Sequence, residues 1–582
     1  MPRGRRRSRP RAARAVRWRR PLSSDRLPDT DLATEALVLG QMMQTPLLIS
    51  SLLRHAAAVH GDTEIVSRGA DGADHRYTYA DAHHRACRLA NALLSLGVRP
   101  GDRVATLAWN GHRHLELYYA VSGMGAVCHT VNPRLFLDQI AYIIDHAEDT
   151  LVCFDVAFRS LAEALAPRCP RVRAWVLLAD EGDERDELEA PAPPGTLRYE
   201  ALLAAQPDDF AWPALDEHTA AGLCYTSGTT GHPKGVLYSH RSTVLQAMAI
   251  ALPDAVALSA RDVLAPVSSM FHVMSWGLPY AASLVGSTLV LPGPKLDGAS
   301  LFRLFEDEGV TVSAAVPTVW LGLATYMAEH ALRLSTLKRV LIGGSACPRA
   351  LIATLQDDFG VEVIHAWGMT ETSPLGTVSR PKRKHASLPA DRRLDLQVKQ
   401  GRPVFGVEVK VVGADGAELP RDGAAAGDLL VRGPWVCASY FKADENDQLR
   451  DGWFPTGDVA TIDPDSYVQI TDRSKDVIKS GGEWISSIEL ENLAVAHPSI
   501  QEAAVIGVAH PKWGERPLVV AVRKPGATVS GAELLAFYEG KVAKWWRPDD
   551  VVFVAELPHT ATGKLLKTRL RAEYRDYRLP TS

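Results

Sequence analysis

The sequence predicts an α/β fold in two domains: a large N-terminal domain of parallel α/β subdomains with a small β subdomain, and a smaller, mobile C-terminal α+β lid domain. Three observations lead to this prediction. From about residue 45 onward, strand-like segments alternate with helical segments, which favours a parallel sheet covered by helices. After Gly401, strand segments follow one another without helices between them. From Arg473, strands and helices alternate again over about 110 residues, enough for a separate domain.

Length and composition also indicate more than one globular domain. A chain of 582 residues exceeds the usual size of a single hydrophobic core. Hydrophobic residues make up 46% of the chain and charged residues 23%, values that are typical of globular domains and not of disordered chains. The seven cysteines are scattered without a CxxC pair. This pattern favours buried free thiols in a reducing cytoplasm over a disulfide framework.

Residues 1–41 form a basic arm that is predicted to be disordered. Ten arginines and no acidic residue lie in positions 1–20, although the whole chain has a net charge of −4. Such an arm suits nucleic acid, anionic lipid or an organelle transit sequence. The simpler interpretation is a disordered tail, or sequence upstream of a true start near Met42 or Met43. Because the rest of the chain is acidic, nucleic-acid binding is not expected as the main function.

The first clear helix is predicted after Thr78. Thr78 and Asp81 have the spacing of a capping box, and Gly97 followed by Pro100 ends the helical pattern. The apolar residues between these signals fall on one helical face: Ala82, Ala86, Leu89, Ala90 and Leu93.

The following segments continue the alternation. Asp102–Trp109 predicts a strand, a helix follows from His112, and Ala126–Pro133 predicts the next strand. A further helix begins near Leu137 and leads into the strand Leu151–Asp155. This order predicts neighbouring parallel strands with helices on both faces of the sheet.

The stretch from Asp262 to Lys295 has almost no charge, a composition that a membrane span would also show. Its prolines, glycines and serines favour buried strands and loops instead.

The segment Tyr225–Val236, "YTSGTTGHPKGV", has the composition of a polyphosphate-binding loop. Its glycines let backbone N–H groups turn toward an anion, its hydroxyls add donors, and Lys234 adds a positive charge. The spacing differs from a Walker loop because Pro233 precedes the lysine and Gly235 follows it. A glycine-rich surface turn is the alternative. The residues expected to face the phosphates are Thr226, Ser227, Gly228, Thr229, Thr230, Gly231 and Lys234.

Three later polar segments complement this loop. Trp367 lies four residues before Glu371, and its ring can stack on a purine. A carboxylate beside a triphosphate requires a bridging divalent cation, so Glu371 is predicted to hold Mg²⁺. Asp458 ends the segment "GWFPTGD" and can accept hydrogen bonds from both hydroxyls of a ribose. Lys564 follows a glycine in a C-terminal polar loop from which it can reach outward.

Taken together, these segments resemble the adenylate-forming superfamily and, within it, the acyl-CoA synthetases of the medium- and long-chain fatty-acid branch. The resemblance covers the chain from about Met42 to Leu579. It rests on "YTSGTTGHPKGV", "MFHVMSW", "WGMTET", "WFPTGD" and "DRSKDVIKSGGEWIS" with its "TATGK" tail. It implies ATP, CoA and a small carboxylic acid as substrates, with Mg²⁺. The acid attacks the α-phosphate of ATP to give an acyl-adenylate and pyrophosphate, and the CoA thiol then displaces AMP.

The same resemblance implies roles for individual residues. Lys564 matches the lysine that bridges the acid and the α-phosphate, and His272 matches a histidine beside the acid. Thr226 and Glu371 match the magnesium-holding positions, and Thr370 lies where the α-phosphate is expected. The remaining residues implied at the nucleotide are Gly344, Ala366, Trp367, Asp458, Arg473 and Lys475.

A hinge is implied at "DRSKDVIKSGGEW", with Lys475 at the pivot between an AMP-binding domain of residues 42–472 and a lid of residues 473–582. Rotation there would withdraw Lys564 and bring forward Lys479, which is expected to serve the thioester step. Gly481 and Gly482 would let the pantetheine arm approach the backbone closely. Trp484 is expected to pack against this arm or the adenylate. Ser486 with Glu489 is predicted to form a capping box for the next helix.

An apolar acyl pocket is predicted near "MFHVMSW". A pocket of this kind favours an alkyl or aryl chain over a charged group. Trp276 is placed as a gate to the pocket, with plain core packing as the alternative. The predicted wall consists of Val273, Trp276, Val316 and Gly344.

Other functions stay open at this stage. One is a CoA ligase for an aryl or short thioether acid, and another is an acyl-AMP ligase that loads a carrier protein. An esterase is disfavoured because "GGSAC" around Ser345 lacks the second glycine of GxSxG. A zinc site at His83, His84 and Cys87 lacks a fourth ligand. We also expect a possible homodimer, at most peripheral contact with a membrane, and no nucleic-acid partner.

Overall fold

The computed structural model describes residues 40–69, 72–179, 192–226, 233–443, 449–473, 475–481, 483–559 and 565–581, with Glu483 and Trp484 described by their backbone alone. The chain divides into two compact units, Met1–Thr45 and Pro46–Ser582, and every element below belongs to the second. The prediction for residues 1–41 falls almost wholly outside the described part of the chain.

The first large sheet is formed by strands between residues 103 and 239. Its strands are parallel except for the last pair, the hairpin Ala220–Tyr225 and Gly235–Ser239. Across the sheet the strands follow the order Leu197–Arg198, Ala174–Leu178, Asp149–Asp155, Arg103–Leu107, Val127–Thr130, Ala220–Tyr225 and Gly235–Ser239. The parallel sheet predicted from the early alternation of strands and helices is therefore confirmed.

The second large sheet is parallel in its centre and antiparallel at both edges. Across it the strands follow the order Arg402–Pro403, Thr377–Ser379, Glu362–Trp367, Arg339–Ile342, Val312–Ala315, Val263–Pro266, Thr288–Leu291, Glu64–Arg68 and Asp74–Thr78. Within the described residues, none of the helices combines the length and the apolar character needed to cross a membrane. The stretch from Asp262 to Lys295 forms two of these strands and the helix Leu278–Val285 between them.

A small antiparallel sheet follows, as the run of strands without helices predicts. Its strands are neighbours in both sequence and space, and they are Glu408–Val412, Gly427–Arg432, Phe454–Ile462 and Val468–Arg473. Asp458 and Arg473 are opposite each other on the last two strands.

The C-terminal part has its own sheet. The strands Ile500–His510 and Gly514–Arg523 form a long hairpin, Asp550–Phe553 pairs in parallel with Gly514–Arg523, and Ile478–Ser480 with Glu483–Ile485 forms a short hairpin at the edge. The accompanying helices are Ser487–Val495, Gly531–Phe537 and Lys567–Glu573. The mixed α/β class is confirmed, whereas the domain boundary at residues 472 and 473 stays a prediction.

The remaining helices cover the two large sheets. They are Ile49–Val59, Tyr79–Ser95, His112–Gly123, Leu137–Ala147, Arg159–Leu165, Tyr199–Ala204, His240–Ala251, Leu278–Val285, Gly298–Asp307, Pro317–Glu329, Arg349–Ala353 and Ala390–Val398. The predicted helix after Thr78 is confirmed with its capping box, because Thr78 Oγ1 accepts from the Asp81 N–H and the Asp81 carboxylate accepts from the Thr78 N–H. Its predicted apolar face is buried: Ala82, Ala86, Leu89, Ala90 and Leu93.

The second predicted cap is only partly right. Ser486 Oγ accepts from the Glu489 N–H at 3.1 Å, as expected for a helix N-cap. The reciprocal bond from the Ser486 N–H to Glu489 is not found among the described residues. Instead Asp472 Oδ2 accepts from the Ser487 N–H at 2.6 Å, so a carboxylate from the preceding strand stabilises the helix start. The sequence pattern missed this because Asp472 lies fifteen residues before its partner.

All seven cysteines are unpaired, and six of them are buried while Cys437 is half-buried. The expectation of free thiols is therefore confirmed. Burial raises the pKa of Cys224, at the carboxyl end of its strand, to about 11, so this thiol is not an activated nucleophile.

Candidate functional site

The candidate site is a cleft of about 2000 Å³ that collects the residues singled out in the sequence. The ends of strands from both large sheets line one side, the small antiparallel sheet lines a second, and the C-terminal part closes the third. Of the described residues with predicted roles, the following line the cleft: Thr226, Lys234, His272, Val273, Trp276, Gly344, Ala366, Trp367, Thr370, Glu371, Asp458, Arg473 and Lys475.

The predicted phosphate loop lies at the end of a hairpin that opens into this cleft. Thr226 donates its N–H to Lys234 O at 2.9 Å, and Thr226 Oγ1 accepts from the Lys234 N–H at 3.4 Å. These bonds extend the pairing of the two strands to the last described residues before the loop tip. The tip itself, with Ser227, Gly228, Thr229, Thr230 and Gly231, lies outside the described residues.

Glu371 is buried beside the base of this loop, and Tyr440 holds its carboxylate. Tyr440 donates its hydroxyl to Glu371 Oε1 at 2.6 Å, and the Cys437 N–H donates to Glu371 O at 2.7 Å. Lys234 Nζ lies 4.7 Å from the centre of the Tyr440 ring. Burial raises the pKa of Tyr440, and the charge of Glu371 adds to this, so the hydroxyl stays protonated and donates. Tyr440 lies outside the motifs that predict the site, and its neighbours "CASYFK" carry no signal that distinguishes it.

The donor set at this end suits Mg²⁺. Glu371 offers a carboxylate oxygen and Thr226 a hydroxyl oxygen, which are hard ligands of the kind that Mg²⁺ prefers. No cluster of three or more His, Cys, Asp or Glu side chains arranged for a metal occurs in the described part of the chain. This is consistent with Mg²⁺, which usually takes one or two protein oxygens and completes its shell with water and substrate phosphates.

Asp458 lies at the meeting point of two sheets and is 2% exposed. Its Oδ1 pairs with Arg473 Nε at 2.8 Å, and its Oδ2 accepts from Trp367 Nε1 at 2.9 Å. The indole is largely buried, and Gly376 packs so closely on it that a Cβ atom there would lie 2.5 Å from the ring. Tyr238 donates its hydroxyl to Thr370 O at 2.8 Å and so fixes the neighbouring turn.

The apolar end of the cleft is built on a left-handed turn. Val273, Met274, Ser275 and Trp276 have φ values of 47°, 51°, 50° and 60°, and Gly277 continues the turn at 75°. A left-handed conformation costs roughly 1–2 kcal/mol for each non-glycine residue, so tertiary contacts must maintain it. The sequence predicted an apolar segment here but not this backbone.

Two buried side chains hold the turn. Gln246 Nε2 donates to Trp276 O at 3.1 Å, and Ser275 Oγ donates to Ser268 O at 2.6 Å. Gln246 was not selected from the sequence, although a glutamine within the apolar run "VLQAMAIA" is a detectable signal. The carbonyl of His272 accepts from the Ser275 N–H at 3.2 Å, which places His272 at the start of the turn and at the edge of the cleft.

Three of the four predicted acyl-pocket residues, Val273, Trp276 and Gly344, line the cleft, whereas Val316 lies beside Gly344 and is not among the described residues that line it. A Cβ atom added at Gly344 would lie 3.0 Å from Val316 Cγ1 and 3.9 Å from Trp276 Cζ2. A Cβ atom added at Gly343 would lie 3.6 Å from the Trp276 ring. An alanine at either glycine would therefore be in van der Waals contact with the indole, and any larger residue there would fill the space beside it.

The C-terminal part presents one face to the cleft. His559 and Leu565 pair as an antiparallel bridge and both line the cleft, so the two described residues that flank residues 560–564 lie there. Lys564 itself lies outside the described residues. The helix Ser487–Val495 also faces the cleft through Ile488, Glu491, Asn492 and Val495.

The described side chains predicted for the thioester step do not line the cleft. Lys479 is exposed on the short edge hairpin, its N–H donates to Glu515 Oε2 at 2.9 Å, and it does not line the cleft. Gly481 has φ 62° and packs against Trp513. Gly482 lies outside the described residues, and only the backbone of Trp484 is described, paired with Lys479.

A buried charged network joins the end of the small sheet to the C-terminal part. Lys567 Nζ contacts Glu491 Oε1 and Ser487 Oγ, both at 2.6 Å, while Asp472 Oδ2 accepts from the Ser487 N–H. Burial raises the pKa of Asp472 and of Glu491, and the positive charge of Lys567 opposes the rise in both. This network lies immediately beside Arg473 and Lys475, where the sequence predicts the hinge.

Comparison with known proteins gives a consistent result over nearly the whole chain. Residues 53–441 match the AMP-binding enzyme family, and residues 489–564 match the AMP-binding enzyme C-terminal domain. Three similar proteins are a 3-methylmercaptopropionyl-CoA ligase, a medium-chain-fatty-acid–CoA ligase and a long-chain-fatty-acid–CoA ligase. The first, from Ruegeria lacuscaerulensis, is 54% identical over 93% of this chain and 99% of that protein. The second, from Ectopseudomonas oleovorans, is 51% identical over 94% and 99%, and the third, from Thermus thermophilus, is 47% identical over 92% and 97%.

The fold also matches solved structures. One is the anthranilate CoA ligase AuaEII in complex with anthranoyl-AMP, with a TM-score of 0.80 and 25% identity over 91% of this chain and 98% of that chain.

Proposed function

This chain belongs to the AMP-binding enzyme family, and we propose that it is an ATP-dependent acid–CoA ligase that activates a medium- or long-chain fatty acid. The acid attacks the α-phosphate of ATP, the bond to the pyrophosphate leaving group breaks, and an acyl-adenylate forms. The thiol sulfur of CoA then attacks the acyl carbon, AMP leaves, and the thiol proton passes to solvent. One observation carries the proposal. A single cleft has polar and charged side chains suited to phosphate and ribose at one end, and an apolar surface at the other.

The polar end supplies the first step. Lys234 and the loop of Ser227, Gly228, Thr229, Thr230 and Gly231 hold the β- and γ-phosphates, which become the leaving pyrophosphate. Asp458 and Arg473 hold the ribose, and Thr370 contacts the α-phosphate. Ala366, Trp367 and Gly344 line the space for the base. Thr226 and Glu371 would hold Mg²⁺, which would neutralise phosphate charge when bound.

The central step brings two negatively charged groups together, so positive charge must lie between them. Lys564 supplies this charge, and the described residues that flank its segment, His559 and Leu565, both line the cleft. His272 holds the acid at the edge of the left-handed turn. Val273, Trp276, Val316 and Gly344 receive the acyl chain, and Trp276 controls the entrance.

The orientation of the C-terminal part supports a division of the two steps between two states. His559 and Leu565, which flank residues 560–564, line the cleft, whereas Lys479 and Gly481 lie outside it. This orientation suits adenylate formation. A rotation at Lys475, between domains of residues 42–472 and 473–582, would bring Lys479, Gly481, Gly482 and Trp484 to the acyl-adenylate for the CoA step.

A second candidate substrate is a short thioether acid. It is favoured by the 54% identity to a 3-methylmercaptopropionyl-CoA ligase, a value similar to the 51% identity to the medium-chain enzyme. The indole of Trp276 close to Gly343 and Gly344 narrows the apolar end and would suit a short chain. A homodimer, peripheral contact with a membrane and a cytoplasmic location stay predictions from the sequence.

The test is pyrophosphate and AMP release with ATP, Mg²⁺ and CoA across straight-chain acids of graded length, with 3-methylmercaptopropionate and benzoate alongside. We expect kcat/KM to rise with chain length to a maximum in the medium or long range. A maximum at the thioether acid would favour the second candidate. If none of these acids leads to AMP formation, both candidate functions are contradicted.

A further inference from the structure

Tyr440 contacts both a proposed magnesium ligand, Glu371, and a proposed phosphate-binding residue, Lys234. Its hydroxyl donates to Glu371 Oε1 at 2.6 Å, and its ring centre lies 4.7 Å from Lys234 Nζ. Glu371 is 5% exposed, so its carboxylate has little access to water that could replace this bond. Lys234 is in turn paired through its backbone with Thr226. A continuous chain of contacts therefore runs from Thr226 through Lys234 and Tyr440 to Glu371.

The segment that carries Tyr440 contacts Glu371 twice. The Cys437 N–H donates to the Glu371 backbone carbonyl at 2.7 Å, and the Tyr440 hydroxyl holds the side chain. The Tyr440 ring also packs edge-on against Phe454, with ring centres 6.1 Å apart. Phe454 begins the strand that carries Asp458. The orientation of Glu371 is thus determined by a segment that is anchored to the proposed ribose site.

We propose that Tyr440 is a positioning residue with two separable contributions: its hydroxyl orients Glu371 toward Mg²⁺, and its ring holds the Lys234 ammonium at the phosphates. The proposal rests on the proposed function, since it assumes that Mg·ATP binds in this cleft. A carboxylate that binds a metal depends on the hydrogen bonds that orient it, and loss of such a partner typically costs about 10–100-fold in metal affinity or activity. An ammonium over an aromatic face gains about 0.5–1 kcal/mol at exposed sites, which corresponds to roughly two- to fivefold in affinity.

The two contributions can be separated by two substitutions. Tyr440→Phe removes the hydroxyl and keeps the ring, whereas Tyr440→Leu removes both. Tyr467→Phe is the matched control, because Tyr467 is buried just before the strand Val468–Arg473 and donates its hydroxyl to Arg380 O at 2.6 Å, a contact that does not involve the proposed ligands. Circular dichroism and thermal unfolding establish that all three variants are folded before binding is compared.

The measurement is ATP binding by isothermal titration calorimetry without acid or CoA, first in EDTA and then at graded Mg²⁺ concentrations. For Tyr440→Phe we expect unchanged ATP affinity in EDTA and about a tenfold or larger increase in the Mg²⁺ concentration that gives half of the metal-dependent tightening. For Tyr440→Leu we expect the same shift and a further loss of about two- to fivefold in EDTA. Tyr467→Phe should match the wild type in both conditions.

Each arm has an outcome that overturns it. If Tyr440→Phe needs the same Mg²⁺ concentration as the wild type, or a lower one, for half of the metal-dependent tightening, the hydroxyl does not orient Glu371 toward Mg²⁺. Equal ATP affinity of Tyr440→Leu and the wild type in EDTA would overturn the role of the ring. A wild-type protein that binds no ATP with or without Mg²⁺ would overturn both this inference and the proposed function. Normal wild-type binding with unaffected variants would overturn this inference alone.

Discussion

Asp458 and Arg473 lie opposite each other on neighbouring antiparallel strands, and Asp458 Oδ1 and Arg473 Nε form an ion pair of 2.8 Å. The second carboxylate oxygen of Asp458 accepts from Trp367 Nε1 at 2.9 Å. The carboxylate is therefore fixed by one donor from its own sheet and one donor from the large sheet. The Arg473 side chain stays 41% exposed and lines the cleft, and its Nη1 donates to Thr456 O at 3.5 Å.

The first prediction concerns this carboxylate. Asp458→Asn removes the charge that the ribose hydroxyls would meet, and hydrogen bonds to charged groups contribute about 1.5–3 kcal/mol. We expect ATP affinity to fall by roughly ten- to hundredfold. The matched ligand is 2′,3′-dideoxy-ATP, which lacks both hydroxyls. Wild type should bind it more weakly than ATP, whereas Asp458→Asn should bind the two nucleotides almost equally. A variant that still distinguishes them as the wild type does would contradict the ribose assignment.

The second prediction separates the two half-reactions. Removing one preorganised charge from a reacting centre typically costs about 3–4 kcal/mol, or roughly 10²–10³ in rate. Lys564→Ala should lose adenylate formation by this amount and still convert supplied acyl-adenylate to the thioester. Lys479→Ala should show the reverse bias, because Lys479 lies outside the cleft in the present orientation. Single-turnover assays of each step measure both rates.

Lys410→Ala is a suitable control for these variants. Lys410 lies on the small sheet over the Trp453 ring, 4.6 Å from its centre, and does not line the cleft. It should leave both half-reactions at the wild-type rate. Equal loss of both steps in Lys564→Ala and in Lys479→Ala would rule out a division of labour between the two lysines.

Local signals explain the parts of the fold that the sequence predicted correctly. The helix after Thr78 could be placed because its cap and its apolar face lie within one segment. The small antiparallel sheet could be placed because its strands are consecutive in sequence. The candidate residues of the cleft could be selected because each belongs to a short motif that resembles a known family.

The contacts that the sequence did not reveal are long-range. Tyr440 and Glu371 are separated by 69 residues, and Trp367 and Asp458 by 91. The left-handed turn at Val273–Trp276 runs against the backbone preference of its own residues and depends on Gln246, 30 residues earlier. No local propensity predicts such a turn, because the tertiary contacts that stabilise it are absent from the segment itself.

The third prediction concerns chain length. Gly344→Ala would place a Cβ atom 3.0 Å from Val316 Cγ1 and beside Trp276, at a residue with φ 86°. We expect kcat/KM to fall more for long acids than for short ones, because each methylene in such a pocket contributes only about 1–3 kcal/mol and is easily offset by a clash. Combining Gly344→Ala with Val316→Ala should restore part of the long-chain activity.

Gly416→Ala controls for backbone strain in that experiment. Gly416 has φ 82°, and nothing lies within 4 Å of a Cβ atom added there. It therefore carries the same conformational penalty without the steric contact. A change in chain-length preference in Gly416→Ala, or an equal loss for all acids in Gly344→Ala, would contradict a role of Gly344 in the acyl pocket.

The fourth prediction concerns stability at acidic pH and rests on His240, which is fully buried. Its Nδ1 accepts from the Ile49 N–H at 3.1 Å, so this nitrogen carries no proton and the imidazole is neutral. Burial lowers the pKa of His240 from 6.5 to about 4. Between these two values the unfolded chain binds a proton at this histidine and the folded chain does not, so stability decreases as the pH falls from 6.5 to 4. A shift of this size corresponds to about 3 kcal/mol of unfolding free energy, fully retained above pH 6.5.

Urea unfolding at a series of pH values across this window tests the prediction. His240→Asn keeps a hydrogen-bond acceptor near the Ile49 N–H and removes the titrating group, so its stability should depend less steeply on pH than that of the wild type. His218→Asn is the control, because the His218 side chain is 71% exposed and its replacement should leave the slope unchanged. If His240→Asn and the wild type lose stability in parallel as the pH falls from 6.5 to 4, the buried imidazole is not the source of the acid sensitivity.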